Sequence, residues 1–256
     1  IESEAVESEE VKPSLIKRLI GFFKLMAEMP DTMKRLAVVQ FFSWFSLFIM
    51  WVYSMPAIAQ HTWGVDVKWF DPAYLATVTV PAEIAAAKGA AGDWVGILFA
   101  VLFSLVIGKM ADKFGRKLVY GLSLALGGLG YLSFVLFQNP EITQLNLLIT
   151  HVEVPKGAVG LFIPMIGIGI AWAAILAMPY AILAGSLPAN KTGVYMGIFN
   201  FTIAAPQIVS GILAGWILSS VFDNEAIYII MLAGVCMLLG ALSVYFVKDT
   251  QEQYNQ

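Results

Sequence analysis

Six long apolar runs constrain the fold of this chain more than any other feature. They cover residues 36–60, 90–109, 117–137, 157–184, 194–219 and 225–247, within a few residues at each end. A helix needs roughly 20 mostly apolar residues to cross a hydrocarbon core about 30 Å thick, and each run is long enough. Lipid offers the backbone no hydrogen-bond partners, and runs this continuous lack the alternation of barrel strands. The sequence therefore predicts an all-α membrane protein with six spanning helices.

The composition supports a multi-pass membrane protein. Of the 256 residues, 59% are hydrophobic and 13% are charged, which is far more apolar than a water-soluble domain. The formal net charge of -3 is close to neutral, so it favours neither nucleic acid nor a polycationic partner. Membrane lipids are the surroundings that this composition predicts, with no nucleic acid partner.

Basic residues fall almost entirely on one side of the six runs. Lys68, Lys88 and Lys156 lie in loops on one side, and the other twelve of the fifteen Lys and Arg lie on the opposite side. The positive-inside rule then places both chain ends in the cytoplasm, in a plasma membrane or a bacterial inner membrane. Those twelve are Lys12, Lys17, Arg18, Lys24, Lys34, Arg35, Lys109, Lys113, Arg116, Lys117, Lys191 and Lys248.

The runs divide the chain into three parts. Residues 1–35 form an acidic segment followed by "PSLIKRLIGFFKLMAEMP", whose basic residues stand between apolar ones. This pattern predicts a short amphipathic helix lying on the inner membrane surface. Residues 36–247 form the membrane bundle, and residues 248–256 form a cytoplasmic tail. An acidic start without Met indicates a chain cut from a longer one.

Titratable side chains are scarce inside the runs. No Asp or Glu stands in the middle of one, and Asp93, near the outer end of the second run, comes nearest. Intramembrane acids usually mark proton pathways, so we expect the main coupling carboxylate elsewhere. His61 and His151 stand alone in separate outer loops, and Cys236 is the one cysteine. The sequence thus predicts no enzyme, no metal site and no cofactor.

A charged stretch, "GKMADKFGRK" at residues 108–117, separates the second and third runs. Gly108 and Gly115 permit a tight turn, Asp112 suits a helix N-terminus, and Arg116 and Lys117 place donors at the lipid boundary. Taken as single charges, they favour an ordinary basic loop that fixes topology. The spacing of the glycines, the acid and the bases is a more specific signal than the single charges.

The pattern G-x-x-x-D-x-x-G-R-K resembles the loop motif of the major facilitator superfamily. In that family an Asp, an Arg and a neighbouring helix end form a latch that stabilises one state of the transport cycle. The resemblance implies that a latch is formed here by Gly108, Asp112, Gly115, Arg116 and Lys117. The family motif follows the second helix of a six-helix half, which is its place in this chain.

Two further stretches, "MPYAIL" at 178–183 and "FNFTIAAPQIV" at 199–209, resemble the tenth and eleventh helices of certain sugar transporters. These are sugar:proton symporters related to the sucrose transporters, in the glycoside-pentoside-hexuronide:cation symporter group. The resemblance covers residues 34–247 and implies the C-terminal six-helix half of a twelve-helix major facilitator fold. It also implies a disaccharide or glycoside as substrate, a proton as coupling ion, and a missing N-terminal six-helix half as partner.

Other interpretations stay open at this stage. The chain is either an excised half or a half-transporter that must pair with another. The solute could be another small polar molecule, such as a nucleoside or a peptide. A membrane sensor or assembly subunit that does not transport could also use the same scaffold.

Five side chains are candidates to contact a sugar, because amides and hydroxyls hydrogen-bond sugars and aromatic faces pack on their rings. Asn200 and Gln207 are seven residues apart and Trp172 and Tyr180 eight apart, so each pair shares a helix face, and Tyr53 lies in the first run. Pro206 and Pro179 lie within these stretches and permit bends. The amides could equally hydrogen-bond between helices, and the aromatic residues could pack or lie at the membrane interface.

Overall fold

A computed structural model of the chain describes residues 20–21, 24–95, 100–147, 150–184, 186–187 and 192–249. Helices dominate this part of the chain, as the apolar runs predict. The long ones are α1 (Asp31–His61), α2 (Ala82–Val95), α3 (Ala100–Phe114), α4 (Arg116–Ser133), α5 (Phe162–Ala184), α6 (Thr192–Val221) and α7 (Ala226–Val244).

Five segments of the described chain are long and apolar enough to cross a membrane. They are Asp31–His61, Arg116–Leu136, Lys156–Ala184, Thr192–Val221 and Ala226–Val244. The predicted second span, residues 90–109, falls on the end of α2 and the start of α3, and residues 96–99 lie outside the described residues. The prediction of an all-α membrane protein is confirmed.

The helices are longer or shorter than the apolar runs by a few residues. With 31 residues, α1 is about 46 Å long, which exceeds the hydrocarbon core by several turns. Pro56, Pro179 and Pro206 lie inside α1, α5 and α6, and each helix continues through its proline. In a membrane such prolines are tolerated because neighbouring helices satisfy the backbone groups that they free.

The bundle is organised around two central helices. The first, α1, packs against α7, α6 and α2, and α4 packs against α5 and α7. Glycines bring these helices close together: a Cβ on Gly128 would lie 3.0 Å from the Gly234 carbonyl oxygen, and one on Gly130 would lie 2.8 Å from the Pro164 carbonyl oxygen. Small residues in these positions let membrane helices approach and gain van der Waals contact.

A β-hairpin follows α4, where the sequence predicted only an outer loop. Strands β1 (Ile142–Leu147) and β2 (Thr150–Pro155) pair antiparallel, with Ile142 opposite Pro155. The Lys156 ammonium lies 2.6 Å from the Glu141 carboxylate and closes the base of the hairpin. The segment "ITQLNL" has apolar residues at positions 142, 145 and 147 with polar residues between them, so a search for continuous apolar runs overlooks it.

The two ends of the chain lie largely outside the described residues. Of the predicted amphipathic helix, residues 20–21 and 24–27 are helical, and residues 22–23 and everything before 20 are not described. Of the predicted tail, residues 248 and 249 alone are described.

Candidate functional site

Segment 108–117, named the latch loop from here on, comprises the last seven residues of α3, a turn of one residue and the first two residues of α4. Gly108 therefore lies within a helix and not at the turn where the sequence placed it. Gly115 is the turn residue, and its φ of +90° lies in the left-handed region that favours glycine. Its N–H donates to the Ala111 carbonyl oxygen at 2.9 Å, and its carbonyl accepts from the Val119 N–H at 3.2 Å. The turn therefore directs Arg116 and Lys117 onto the first turn of α4.

Arg116 joins the latch loop to α5. Its guanidinium donates to the Ala181 carbonyl oxygen at 2.9 Å, in the last turn of that helix. The last four carbonyls of a helix have no partner within it and carry partial negative charge. The Arg116 cation thus satisfies an acceptor that the helix leaves open and stabilises the end of α5.

Two more basic side chains hold the end of α7 in the same way. Lys117 donates to the Tyr245 carbonyl oxygen at 3.2 Å, and Arg35 donates to the Phe246 carbonyl oxygen at 2.9 Å. Arg35 also pairs with Asp31 at 2.9 Å, and Lys248 lies 3.3 Å from the same carboxylate. These contacts bring the start of α1, the start of α4 and the ends of α5 and α7 together, and we name this the basic end of the bundle.

Asp112 and Gly108 make no such contacts within the described residues. Asp112 is exposed and has neither a hydrogen bond nor an ion pair there, and a Cβ on Gly108 would meet no atom within 4 Å. Asp112 does line a cavity of about 650 Å³ at the basic end, together with Lys117 and Tyr245. Of the five predicted latch residues, Gly115, Arg116 and Lys117 thus have roles within this chain, while the other two face open space.

Aromatic side chains form a continuous wall between α1 and α5. The Trp51 ring lies 6.2 Å from Trp44 and 5.9 Å from Trp172, edge to face in both pairs. Trp44 is buried and Trp172 is half-buried, whereas Trp51 is 44% exposed. The rest of the described bundle therefore leaves the Trp51 indole partly uncovered.

Tyr180 and Asn200 meet where α5 approaches α6. The Tyr180 hydroxyl donates to the Asn200 Oδ1 at 3.5 Å, a long hydrogen bond, and the Tyr180 ring packs edge-on against Phe199 at 5.3 Å. Asn200 is exposed, and its amide nitrogen has no partner among the described residues. A hydroxyl and an amide thus stand next to each other with hydrogen-bonding capacity to spare.

A model of the Major Facilitator Superfamily matches residues 36–256, which is most of the chain. The chain belongs to the major facilitator superfamily. Neither the curated proteins nor the solved structures compared with it include a match. Members of this family are membrane transporters, so the facilitator match agrees with a multi-pass transporter and not with an enzyme.

The other two predicted sugar contacts occupy different positions in this facilitator bundle. The Gln207 amide donates to the Ile203 carbonyl oxygen at 3.2 Å, within its own helix. The Tyr53 hydroxyl lies 3.5 Å from the point where a Cβ on Gly215 would stand, so it packs where α1 crosses α6. Neither side chain joins the Tyr180 and Asn200 pair through a described contact.

Sequence reasoning did not single out Trp51 as a site residue. Trp44 and Trp51 are seven residues apart and so share a helix face, a signal that was present but equally typical of interface aromatics. The capping roles of Arg35 and Lys117 depend on which helix ends lie beside them. No spacing within the sequence reports that contact.

The two histidines of the facilitator lie outside any metal cluster among the described residues. His61 Nε2 lies 3.0 Å from the Val135 carbonyl oxygen, and His151 contacts Asn146 in the hairpin. In the described part of the chain, no three His, Cys, Asp or Glu side chains are grouped so that they could hold a metal ion.

Proposed function

We propose that this facilitator chain carries a sugar, a disaccharide or another glycoside, in symport with protons. It acts as one half of a transporter, and a second six-helix half supplies the rest of the binding site. The two halves rock against each other so that a site near the membrane midplane opens to one side at a time. The facilitator family supports transport, and the side chains at α1, α5 and α6 support the substrate class.

The observation that carries the sugar proposal is the combination of an aromatic wall with a pair of polar groups on α5, where Trp172 and Tyr180 are eight residues apart and share a helix face. Trp51 and Trp172 offer an indole face for the C–H face of a sugar ring, and Tyr180 and Asn200 offer a hydroxyl and an amide. Small-molecule sites combine apolar walls with a few placed polar groups in this manner. A purely apolar solute would leave the Asn200 amide without a hydrogen-bond partner from the solute.

The proposed proton coupling places its carboxylate in the other half. No Asp or Glu stands in the middle of any apolar run of this chain. Proton-driven transporters need an ionisable group within the membrane, and this chain leaves that role to its partner. This chain then supplies hydrogen bonds and stacking to the solute, while the partner supplies the titrating group.

The latch loop has a proposed role in the transport cycle. Arg116 holds α5, which carries Trp172 and Tyr180, while Asp112 has no described partner in this half. A carboxylate left open at the basic end suits a contact with the second half in one state of the cycle. Breaking and remaking that contact would bias the outward-facing state.

Uptake of radiolabelled sugars by the full-length transporter in lipid vesicles tests this proposal. We expect saturable uptake of at least one disaccharide or glycoside, which rises when an inward proton gradient is imposed. A panel of mono- and disaccharides that gives no saturable uptake would contradict the sugar assignment. Protein-free vesicles supply the background rate.

A facilitator of another small polar solute is the second candidate, because an amide and a hydroxyl also recognise nucleosides and peptides. A competition assay separates the two candidates. If unlabelled nucleosides or dipeptides abolish entry of the labelled solute and unlabelled sugars do not, the result favours this second candidate. A sensor or assembly subunit on the same scaffold would show no solute entry with any member of the panel.

A further inference from the structure

Two cavities lie on either side of one apolar ridge, where α3 ends and α4 begins. The ridge consists of Phe114, Leu118 and Leu122, which line both cavities and are each more than half exposed. Leu118 and Leu122 are four residues apart on α4 and therefore share a face of that helix. Lipid chains are as apolar as leucine, so the ridge offers them favourable contact on both of its sides.

The first cavity, of about 650 Å³, lies between α4 and α7 at the basic end. These helices are closer together at Gly128, where an added Cβ would lie 3.0 Å from the Gly234 carbonyl oxygen, than at Gly121. A Cβ on Gly121 would lie 3.7 Å from the Ala241 carbonyl oxygen, and both of these residues line the cavity. Lys117, one turn before Gly121, lines it as well. The space between the helices thus has small residues at one end and a lysine at the other.

The second cavity, of about 380 Å³, lies between α3, α4 and α5. Among the described residues that line it, Ser123 carries the one hydroxyl and the others are apolar, including Phe103, Met110 and Ile170. A cavity with this lining offers no partner to a charged group, and burying a charge there would cost free energy. It suits a hydrocarbon chain.

Charges at the basic end favour an anion. Among the described residues at the start of α1, the end of α3, the start of α4 and after α7, seven bases and three acids leave a net charge of +4. Basic residues on one side of a membrane are by themselves typical of topology, so the charge supports a ligand only together with the cavity that Lys117 lines. The bases are Lys34, Arg35, Lys109, Lys113, Arg116, Lys117 and Lys248, and the acids are Asp31, Asp112 and Asp249.

We propose that an anionic diacyl phospholipid binds here, with its phosphate beside Lys117 and one acyl chain on each side of the ridge. Two chains joined at one glycerol match two cavities that share a wall. Basic pockets between membrane helices bind lipid headgroups by the same attraction. The chains gain little over bulk lipid, so the charge and the shape of the site select this ligand. No candidate sugar contact lines either cavity, so the proposal holds whatever solute the transporter carries.

Native mass spectrometry of the full-length protein, with lipid added in detergent, measures this binding. The probe is dioleoyl phosphatidylglycerol, and dioleoylglycerol, which has the same chains and no phosphate, is the control. We expect the protein to retain phosphatidylglycerol and to lose dioleoylglycerol at the same concentration, and equal retention would overturn the proposal. Excess glycerol 3-phosphate should not displace the lipid. Displacement would assign the cavity to a soluble anion and would also overturn the proposal.

Substitution of Lys117 tests the headgroup contact. We expect Lys117→Gln to weaken phosphatidylglycerol binding about five-fold, which corresponds to about 1 kcal/mol for one basic residue near a membrane surface. Lys109→Gln is the matched control, since Lys109 is exposed and lines neither of these cavities. Equal weakening in the two variants would indicate diffuse surface charge and would overturn the proposal, as would unchanged binding in Lys117→Gln.

Two further variants separate the charge from effects on folding, because Lys117 also donates to the Tyr245 carbonyl oxygen. Lys117→Arg keeps the cation and should retain binding, and a loss equal to that of Lys117→Gln would overturn the phosphate contact. Asp112 lines the first cavity too, and its carboxylate repels a phosphate. Asp112→Asn should therefore strengthen phosphatidylglycerol binding, and weaker binding in that variant would contradict an anionic ligand.

A larger side chain at Gly121 tests the acyl-chain contact. Gly121→Leu extends a side chain from the lining of the first cavity, and the atoms nearest to the added Cβ lie 3.7 Å away or farther. We expect this variant to bind phosphatidylglycerol at least five-fold more weakly. Gly197→Leu is the control, since its added Cβ meets no atom within 4 Å and Gly197 lines neither of these cavities. Wild-type binding by folded Gly121→Leu protein would overturn the proposal.

Discussion

The Arg116 guanidinium donates to the Ala181 carbonyl oxygen at 2.9 Å, and this contact ties the start of α4 to the end of α5. The Arg116 cation satisfies a carbonyl that has no hydrogen-bond partner within α5. We therefore expect Arg116→Gln to destabilise the bundle by about 1–2 kcal/mol. Thermal unfolding in detergent measures the loss. Lys109→Gln is the control, since Lys109 is an exposed residue of the same loop with no described contact. An equal loss in the two variants would contradict the capping role.

We expect Asp112→Asn to lower the transport rate without changing the stability of the protein. Asp112 is exposed and makes no described contact, so the substitution should leave the unfolding temperature within about 1 °C of wild type. If Asp112 meets the other half during the cycle, turnover should fall about ten-fold while solute binding changes little. Uptake rates and equilibrium binding on the same preparation measure the two effects. Unchanged turnover would remove Asp112 from the latch.

Close packing of α4 against α7 predicts a strong effect at Gly128. A Cβ there would lie 2.7 Å from the Leu238 Cγ and 3.0 Å from the Gly234 carbonyl oxygen. We expect Gly128→Ala to cost about 1–3 kcal/mol, because overpacking displaces a side chain and backbone together. Gly197→Ala is the matched control, since that added Cβ meets no atom within 4 Å. Equal unfolding temperatures for the two variants would mean that the helices do not approach this closely.

Tyr180→Phe removes one hydroxyl from the proposed sugar site and keeps the ring that packs on Phe199. If the hydroxyl contacts the solute, affinity should fall about 5- to 10-fold, which is the value of one hydrogen bond near 1 kcal/mol. Equilibrium binding to the full-length transporter measures this change. Tyr228→Phe on α7 should leave affinity unchanged, since Tyr228 packs against Phe222. Phe222 follows the last residue of α6, and 22 residues, or about 33 Å of helix, separate it from Asn200. A similar loss in both would contradict the site.

We expect the base of the hairpin to lose stability at acidic pH. The hydrogen bond from Lys156 holds the pKa of Glu141 below its ordinary value near 4.5. A lowered folded-state pKa means that the contact stabilises the hairpin at neutral pH and is lost as pH falls through that lowered value. Amide exchange in β1 and β2, corrected for intrinsic rates, should therefore accelerate in that range. The Glu141→Gln variant should show no such step, and a step of equal size there would assign it to another group.

The membrane helices could be predicted from the sequence because their cause is local. A run such as residues 225–247 must be helical in lipid whatever surrounds it, and α7 occupies Ala226–Val244. The hairpin was missed because Ile142–Leu147 mixes polar and apolar residues instead of forming a continuous apolar run. Its strand pairing also depends on a partner segment that follows it, and hydropathy does not report pairing.

In the candidate site too, roles with a local cause could be predicted from the sequence, and roles that depend on a neighbouring helix could not. Gly115 could be predicted as a turn residue, because a one-residue connection with positive φ favours glycine. The partners of Arg116 and Trp51 depend on which helix lies beside them, and one sequence carries no record of that neighbour. Gln207 had the correct chemistry for a solute contact, yet its amide bonds to Ile203 one turn away.

Uptake of a radiolabelled disaccharide into vesicles that contain the full-length protein tests the central proposal most directly. An inward proton gradient should drive saturable uptake above the level in protein-free vesicles, and Asp112→Asn should lower its maximal rate. Uptake that stays at the protein-free level with every sugar in the panel, in vesicles shown to hold folded protein, would contradict the proposal that this facilitator carries sugar.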